Sequence, residues 1–592
     1  MAKSKFTASD NRKPKDSKKV LKRLWKYIYN YKWLLLFAIL LSTGGNLLSL
    51  IGPKLSGNAI DAIGTKAGGV DFPKVFYYCL LMVFFYAVSG ICAYILSRVM
   101  IKISQNTIFC MRKDVFEKLV SLPISFFDKH QTGDLVSRIS YDIDTVNSSL
   151  SNDIIQIITS FITVTGSFIM MLLISPVLLL VFLVTIPIAI FFTKYMVKKV
   201  RPLFRLRSRK LGQLNGYVEE IISGHKTIKA YRRERVFIGR FDEKNSDAVD
   251  AYYNADYYSS RVGPNVNFVN NLSLALISVL GSILYIFNGI TLGNLSSFVL
   301  YSRRFSGPIN EMANIISELQ SATAAAERIF ALIDEAPEKR DDENAYVLEN
   351  AKGDIEAQNV KFGYIPGKTI IKDFSLKAER GQLVAIVGHT GAGKTTIINL
   401  LMRFYDPDSG TIKIDGKNSQ SVTRKSLRYA FSMVLQDTWL FSGTIFDNIA
   451  YGKEGATKSE VKKACAAAKI DSYIESLPDG YDTVLNENGI NISQGQKQLL
   501  TIARAMLLDS SVLILDEATS NVDTYTEMQI QEAMRSLMKD KTCFVIAHRL
   551  STIQHADTIL VMQDGDIVEQ GTHKELLSKS GVYAELYNSQ FK

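Results

Sequence analysis

The chain has 592 residues, 47% of them hydrophobic and 21% charged, with a formal net charge of +11. That length accommodates several domains. Its apolar residues gather in long runs in the first half, which excludes a wholly soluble protein, and its five cysteines (Cys79, Cys92, Cys110, Cys465, Cys543) lack metal-ligand spacing and read as inert buried thiols.

The N-terminal segment is polar before Leu34 and the first apolar run is a full span, so no cleavable signal peptide is expected. Trp25–Lys32, with Tyr27, Tyr29 and Tyr31, reads as an interfacial helix. Six runs at 33–53, 76–101, 154–175, 177–196, 272–292 and 295–318 each approach the roughly 20 residues that a bilayer requires. The Ser175-Pro176 link forces spans three and four into an antiparallel hairpin. The sixth run is the least apolar, with Arg303, Arg304, Asn310 and Glu311 inside it. Basic clusters before the first span (Arg12 to Lys26) and after the fourth (Lys198 to Lys210) place both segments in the cytoplasm. The basic excess thus has a topological cause, and no recognition module supports a nucleic-acid partner. Asn46, Asn267, Asn270, Asn271, Asn288 and Asn314 face other helices or water, since Asn against lipid is costly. The polar, helical stretches between spans two and three and between four and five read as long cytoplasmic extensions. The charged, Pro-containing run Asp334–Asn344 reads as a solvated linker.

The second half carries a phosphate-binding loop, Gly388-His389-Thr390-Gly391-Ala392-Gly393-Lys394-Thr395, followed by Thr396. The preceding Gln382–Val387 run reads as a buried strand and the following residues as a helix, the context this motif needs. Glycines let backbone N–H groups close on phosphate oxygens, and the helix end adds a positive dipole. Lys394 can reach the β/γ-phosphates and Thr395 can ligate Mg²⁺. Downstream, Ser511–Leu515 reads as a strand ending in Asp516, suited to Mg²⁺, and Glu517, suited to polarising an attacking water. Gln436 and His548 each follow an apolar strand. Ser493, Gln494, Gly495 and Gln496 open a helix and form a second anion site. One P-loop per chain leaves that second site without a phosphate of its own, so a partner chain is expected to bring one.

These motifs, in this order over nearly the whole chain, resemble those of ATP-binding cassette (ABC) exporter half-transporters. The resemblance implies an all-α polytopic membrane domain of six transmembrane helices with long cytoplasmic extensions, plus a C-terminal α/β P-loop NTPase domain. The expected boundaries are 1–32 for the N-terminus and interfacial helix, 33–333 for the membrane domain, 334–350 for the linker and 351–592 for the cassette. It implies coupling helices near 126–134 and 234–240, and ATP and Mg²⁺ as cofactors. By the same resemblance Tyr364 stacks on adenine, Gln436 is the Q-loop residue and a metal ligand, Asp523 belongs to the D-loop and His548 is the switch histidine.

The departures matter as well. The family signature has Gly where this chain has Gln494 and Leu where it has Ile492; Leu499 stands where Arg is frequent, and Thr483–Gly489 is an altered loop that keeps Glu487 and Gly489. A side chain at Gln494 is expected to restrict the close backbone approach that Gly permits. The chain's own P-loop half-site therefore reads as intact and the half-site it offers a partner as impaired, which resembles one subunit of a heterodimeric bacterial multidrug-type exporter. The expected activity is ATP-driven export of hydrophobic or amphipathic small molecules across the cell membrane, with a non-identical second half-transporter. The rivals are a homodimer carrying lipid or peptide, an ATP-gated regulator or channel, and an importer.

Overall fold

The computed structural model describes residues 16–64, 69–435, 438–486, 492–516, 523–547 and 550–591. They form two compact units. One holds the chain up to Ser121 together with His130–Ala336; the other holds Leu122–Lys129 and everything from Pro337.

The helices before Pro337 are α1 (Ser17–Tyr29), α2 (Lys32–Ile63), α3 (Phe72–Ser121), α4 (Ile124–Phe127), α5 (Thr132–Ser137), α6 (Ile143–Ser148), α7 (Ile154–Ile174), α8 (Pro176–Ser223), α9 (His225–Ala230), α10 (Glu234–Ser259), α11 (Val262–Ile286) and α12 (Leu292–Ile333). Of these, α4 belongs to the second unit. Asp16 caps α1, which buries Val20, Leu24 and Ile28 at helical spacing and leaves Trp25 and Tyr29 exposed. Tyr27 donates to Asp114 at 2.6 Å and the Arg23 guanidinium lies 4.3 Å from the Phe330 ring centroid, fixing α1 on α3 and α12. Ser175 is extended, and its hydroxyl caps α8 while Pro176 fills the first helical position, where a missing N–H costs nothing. The break between α8 and α10 lies at Gly224 and at Tyr231–Arg233, around α9; residues 234–240 are the first turns of α10.

Among the described residues, five helical stretches are long and apolar enough to cross a membrane: Lys32–Ile63, Phe72–Ser121, Thr132–Ile174, Pro176–Ser223 and Glu234–Ile286. The 42-residue α12 is not among them. Its polar residues explain why. Pro53 lies inside α2 and has no N–H to offer the Ser49 carbonyl one turn back. Arg304 of α12 supplies that donor, with Nη1 2.8 Å from Ser49 O and 2.7 Å from Ser49 Oγ. Tyr301 donates to Leu50 O at 2.6 Å, Ser297 to Pro53 O at 2.9 Å, and Lys54 to Asn294 at 2.8 Å. At the helix end Asp61 accepts from Gly293 N and Thr291 Oγ1, both at 2.7 Å. These polar groups recur along one face of α12 and turn inward to α2, so hydropathy alone undervalues the helix.

Between these contacts the backbones meet at Gly57 and Gly293. A Cβ on Gly57 would overlap the Gly293 carbonyl oxygen and Ser297 Oγ. Gly57→Val is therefore expected to cost about 1–3 kcal/mol through overpacking, seen as a lower unfolding midpoint in detergent. Gly90 faces open space, so Gly90→Val should leave that midpoint unchanged. Lower on α12, Arg328 clamps the buried Asp142, Nε to Oδ2 at 2.8 Å and Nη2 to Oδ1 at 2.5 Å, in a π-helical turn at Arg138–Asp142.

The second unit is built on a ten-stranded sheet: β1 (Ile355–Phe362), β2 (Ile371–Ala378), β3 (Leu383–Gly388), β4 (Ser409–Ile414), β5 (Lys417–Asn418), β6 (Phe431–Val434), β9 (Val512–Asp516), β10 (Thr542–Ile546), β11 (Thr558–Gln563) and β12 (Asp566–Gly571), in the order β5-β4-β1-β2-β12-β11-β3-β10-β9-β6. The short pair β7 (Gly443–Thr444) and β8 (Val484–Leu485) stands apart. Strands β11, β3, β10, β9 and β6 run parallel, and β1, β2, β4 and β5 pair antiparallel. The central strands are apolar throughout because both faces are covered. Ala385, Val387, Leu513, Leu515 and Val545 enter one core, and Val384, Ile386, Val512, Ile514 and Ile546 enter the other. The helices that matter for the site are α13 (Lys394–Leu401), α14 (Arg424–Tyr429), α15 (Ile445–Ala450), α16 (Lys458–Ala467), α17 (Asp471–Ser476), α18 (Gln494–Leu508) and α19 (Thr524–Met538).

The charged run that enters this unit is held rather than free. Asp341 accepts from Arg424 N at 2.8 Å and Arg424 Nη1 at 2.7 Å, and Glu338 from Arg428 Nη2 at 2.5 Å. Arg424 and Arg403 are buried, and Asp406 bridges them at 3.3 and 3.1 Å. Within the same unit Tyr405 donates to Asp128, just after α4. The five cysteines are all free thiols; Cys465 and Cys543 are buried, whereas Cys79 is on an exposed face of α3.

Candidate active site

Strand β3 delivers the chain into the glycine-rich loop. Gly391 (φ +86°) and Gly393 (φ +105°) adopt left-handed backbone conformations that Gly tolerates without strain. A Cβ on Gly388 would overlap the Met562 carbonyl oxygen, and one on Gly393 would sit 2.8 Å from Ile371 Cδ1. The loop is therefore pressed against the sheet edge, while His389, Thr390, Gly391 and Thr395 stay exposed and Ala392 and Thr396 are buried beneath. Lys394 folds back over the loop, with Nζ 2.7 Å from Gly388 O and 3.0 Å from His389 O. Partial burial holds its pKa below the usual lysine value, against the opposing pull of the Asp516 carboxylate.

Asp516 reaches this place through register. In the parallel sheet Ile386 of β3 pairs with Ile546 of β10, and Ile546 pairs with Asp516 of β9. The ends of three adjacent strands thus line up, with the loop after β3 beside the carboxylate that closes β9. Thr395 and Asp516 offer hard oxygen donors of the kind Mg²⁺ prefers. Glu517, Gln436 and His548, the three residues assigned catalytic roles from sequence, lie outside the described residues.

Tyr364 is half-buried. Its hydroxyl lies 3.3 Å from Thr396 Oγ1 and accepts from Asn399 Nδ2 at 3.1 Å, and its ring stands edge-on to Phe362 and Tyr405, both with centroids 4.9 Å away. The ring is thereby tied to the first turns of α13, close behind the loop. Asn399 was not singled out from sequence. It stands three residues after Thr396, on the same face of α13, and that spacing was the available signal.

At the start of α18, Ser493 Oγ accepts from Gln496 N at 3.3 Å and Gln496 Oε1 accepts from Ser493 N at 2.9 Å, a reciprocal capping box. Among the described residues the Ser493 hydroxyl acts only as an acceptor. Gln494 is the first helical residue, exposed, with Nε2 3.3 Å from Thr438 Oγ1. Its backbone is helical, so the fold does not require Gly there. Gly495 is buried in the same turn, and Leu499 faces the core. Further along, Arg504 braces the segment before α18: Nε donates to Asn448 O at 2.8 Å and Nη1 to Trp439 O at 3.3 Å. An arginine among Ile502, Ala503 and Ala505 on a buried helix was the sequence signal for it. Asp523 caps α19 by accepting from Thr526 N at 2.9 Å, and that bond lowers its pKa.

The intramembrane asparagines divide. Asn46 donates to Ser42 O of its own helix at 2.7 Å. Asn288 has φ +56° in the turn after α11, a backbone role. The side chain of Asn314 is outside the described residues, and Asn267, Asn270 and Asn271 stand on the exposed or half-buried faces of α11.

Residues 35–309 match the ABC transporter transmembrane region family and residues 371–520 the ABC transporter family. The chain is 43% identical over 587 residues to the uncharacterized ABC transporter ATP-binding protein YfiC of Bacillus subtilis, covering 99% of this chain and 96% of that one. The solved structure of a bacterial Atm1-family ABC exporter with ATP bound superposes with a TM-score of 0.75 at 30% identity, over 95% of this chain and 98% of the other. The chain belongs to the ABC exporters. The exporter is also 44% identical over 518 residues to a fatty acid ABC transporter ATP-binding/permease protein of Mycobacterium tuberculosis, covering 88% of this chain and 82% of that protein. It is 35% identical over 578 residues to an ATP-dependent lipid A-core flippase of Salmonella typhimurium, covering 96% and 97%. As in its family, its cassette binds ATP and hydrolyses it to drive transport across a membrane, and it acts as a dimer.

Proposed function

We propose that this exporter carries amphipathic cargo of the lipid or fatty-acid kind out of the cytoplasm, in a dimer with a non-identical partner and two unequal ATP sites. The observation that carries the nucleotide chemistry is the alignment of the loop after β3 with Asp516 at the end of β9. The printed functions of the mycobacterial and Salmonella relatives support the cargo class. In this reading α12 is the sixth span, and the N-terminus and cassette are cytoplasmic.

The residues act as follows. Lys394 leaves the Gly388 and His389 carbonyls for the terminal phosphates, with Tyr364 against adenine. Thr395, Asp516 and Gln436 would hold Mg²⁺, which would supply charge neutralisation at the phosphates. Glu517 polarises the attacking water and His548 holds the terminal phosphate. Ser493, exposed at the start of α18, meets the nucleotide of the partner chain. ATP thus favours the closed pair of cassettes, and the difference in free energy between closed and open states drives the membrane helices. The helical backbone at Gln494 favours a second reading, a homodimer with two equal sites, because a conformation any residue adopts leaves the signature usable.

ATP turnover in lipid decides between them, measured for the chain alone and for the chain co-expressed with its genomic neighbour, each with and without Glu517→Gln. Turnover confined to the pair and abolished by the substitution supports one competent site in a heterodimer. Robust turnover from the chain alone, equally sensitive to Glu517→Gln, establishes the homodimer.

A further inference from the structure

Within α12 two adjacent arginines have opposite fates. Arg304 is consumed by the Ser49 carbonyl and hydroxyl and also approaches Tyr86 Oη at 3.4 Å. Arg303 is exposed and has no hydrogen-bond or ion-pair partner among the described residues. It shares a face of the helix with Gly307, one turn on, and Glu311, two turns on. A Cβ on Gly307 would meet nothing within 4 Å, so the helix face one turn on from Arg303 is open there. Glu311 cannot neutralise Arg303 from two turns away, and its carboxylate accepts instead from Gln156 Nε2 at 2.7 Å. A permanently charged guanidinium inside a span is costly against lipid and belongs in a water-filled cavity or on a partner. Its planar fork matches carboxylate and phosphate oxygens.

We infer that Arg303 binds the anionic headgroup, carboxylate or phosphate, of the transported amphiphile, with Gly307 leaving the room it occupies. This rests on the reading of the chain as an exporter of amphipathic cargo and assigns the part of the cargo that is recognised. Arg304 is the helix-packing arginine, with its Nη1 donors spent on Ser49. Arg303→Lys should keep attraction but lose bidentate geometry, and Arg303→Gln should lose both.

The test is calorimetric binding of decanoate, decyl phosphate and decanol to the full exporter in phosphatidylcholine nanodiscs, each corrected for partition into empty discs. The expected result is a rise in Kd of about tenfold for both anions in Arg303→Gln, a smaller rise in Arg303→Lys, and an unchanged Kd for decanol. The relative size of the two anionic effects separates a fatty-acid headgroup from a phospholipid one. Equal weakening of anions and decanol, or no weakening of the anions, overturns the assignment; the first outcome would mean that Arg303 packs against a second copy. Equal affinity of the unaltered exporter for anions and decanol also overturns it while leaving the cargo reading intact. Binding of none of the three overturns both.

Discussion

Lys394→Ala is expected to lower ATP turnover by about 10²–10³-fold, the loss that follows removal of one preorganised donor to developing phosphate charge. The ammonium is already in position, resting 2.7 Å from the Gly388 carbonyl, and partial burial has stripped some of its water. Transfer to a phosphate oxygen exchanges a neutral acceptor for a charged one, which is the stronger hydrogen bond. Arg at this position is not a conservative change, because a planar fork replaces a compact point charge. ATP turnover by the purified exporter in lipid checks it. Turnover within threefold of the unaltered protein would remove Lys394 from the nucleotide site.

Arg424→Ala is expected to be the most destabilising substitution in the second unit outside the apolar cores. Its guanidinium is buried, and it binds Asp341 at 2.7 Å, the Lys339 carbonyl at 2.9 Å and Asp406 at 3.3 Å. Removing one partner of such a cluster leaves the others desolvated and unpaired, at a cost of about 3–5 kcal/mol when burial is complete. Asp341 retains 25% side-chain exposure, so the lower end applies. For a unit of this size that corresponds to a fall of about 6–12 °C in its unfolding midpoint. Asp341→Asn should fall less, since the amide oxygen still accepts from the Arg424 backbone N–H. The midpoint by differential scanning calorimetry checks both, and an Arg424→Ala midpoint within 2 °C of the parent, about 1 kcal/mol or less, would show the cluster to be ornamental to stability.

Much of the nucleotide site was legible because its chemistry is local. Gly388 to Thr395 carry their own loop geometry, and the apolar runs before Gly388, Asp516 and His548 identified strands that do become β3, β9 and β10. Register did the rest, and register follows from strands apolar on both faces. At Gln494 the residue type was visible in the sequence and its helical backbone was not. The charged linker is largely exposed, as its composition indicates, but sequence lists the acids at 338 and 341 without the arginines that hold them, some 83–90 residues later. Hydropathy alone makes the sixth run the least apolar for the same reason: Ser297, Tyr301 and Arg304 satisfy a helix more than 240 residues upstream.

That last separation sets an order of events at the ribosome. The helix carrying Pro53 is made first and enters the bilayer with the Ser49 carbonyl lacking its donor, a condition lipid cannot relieve. The guanidinium that relieves it is synthesised 255 residues later. Until then the nascent chain holds an unfinished first helix, and each intervening helix must insert without closing it. A chain that stops after α11 therefore leaves that polar seam on its leading helix open.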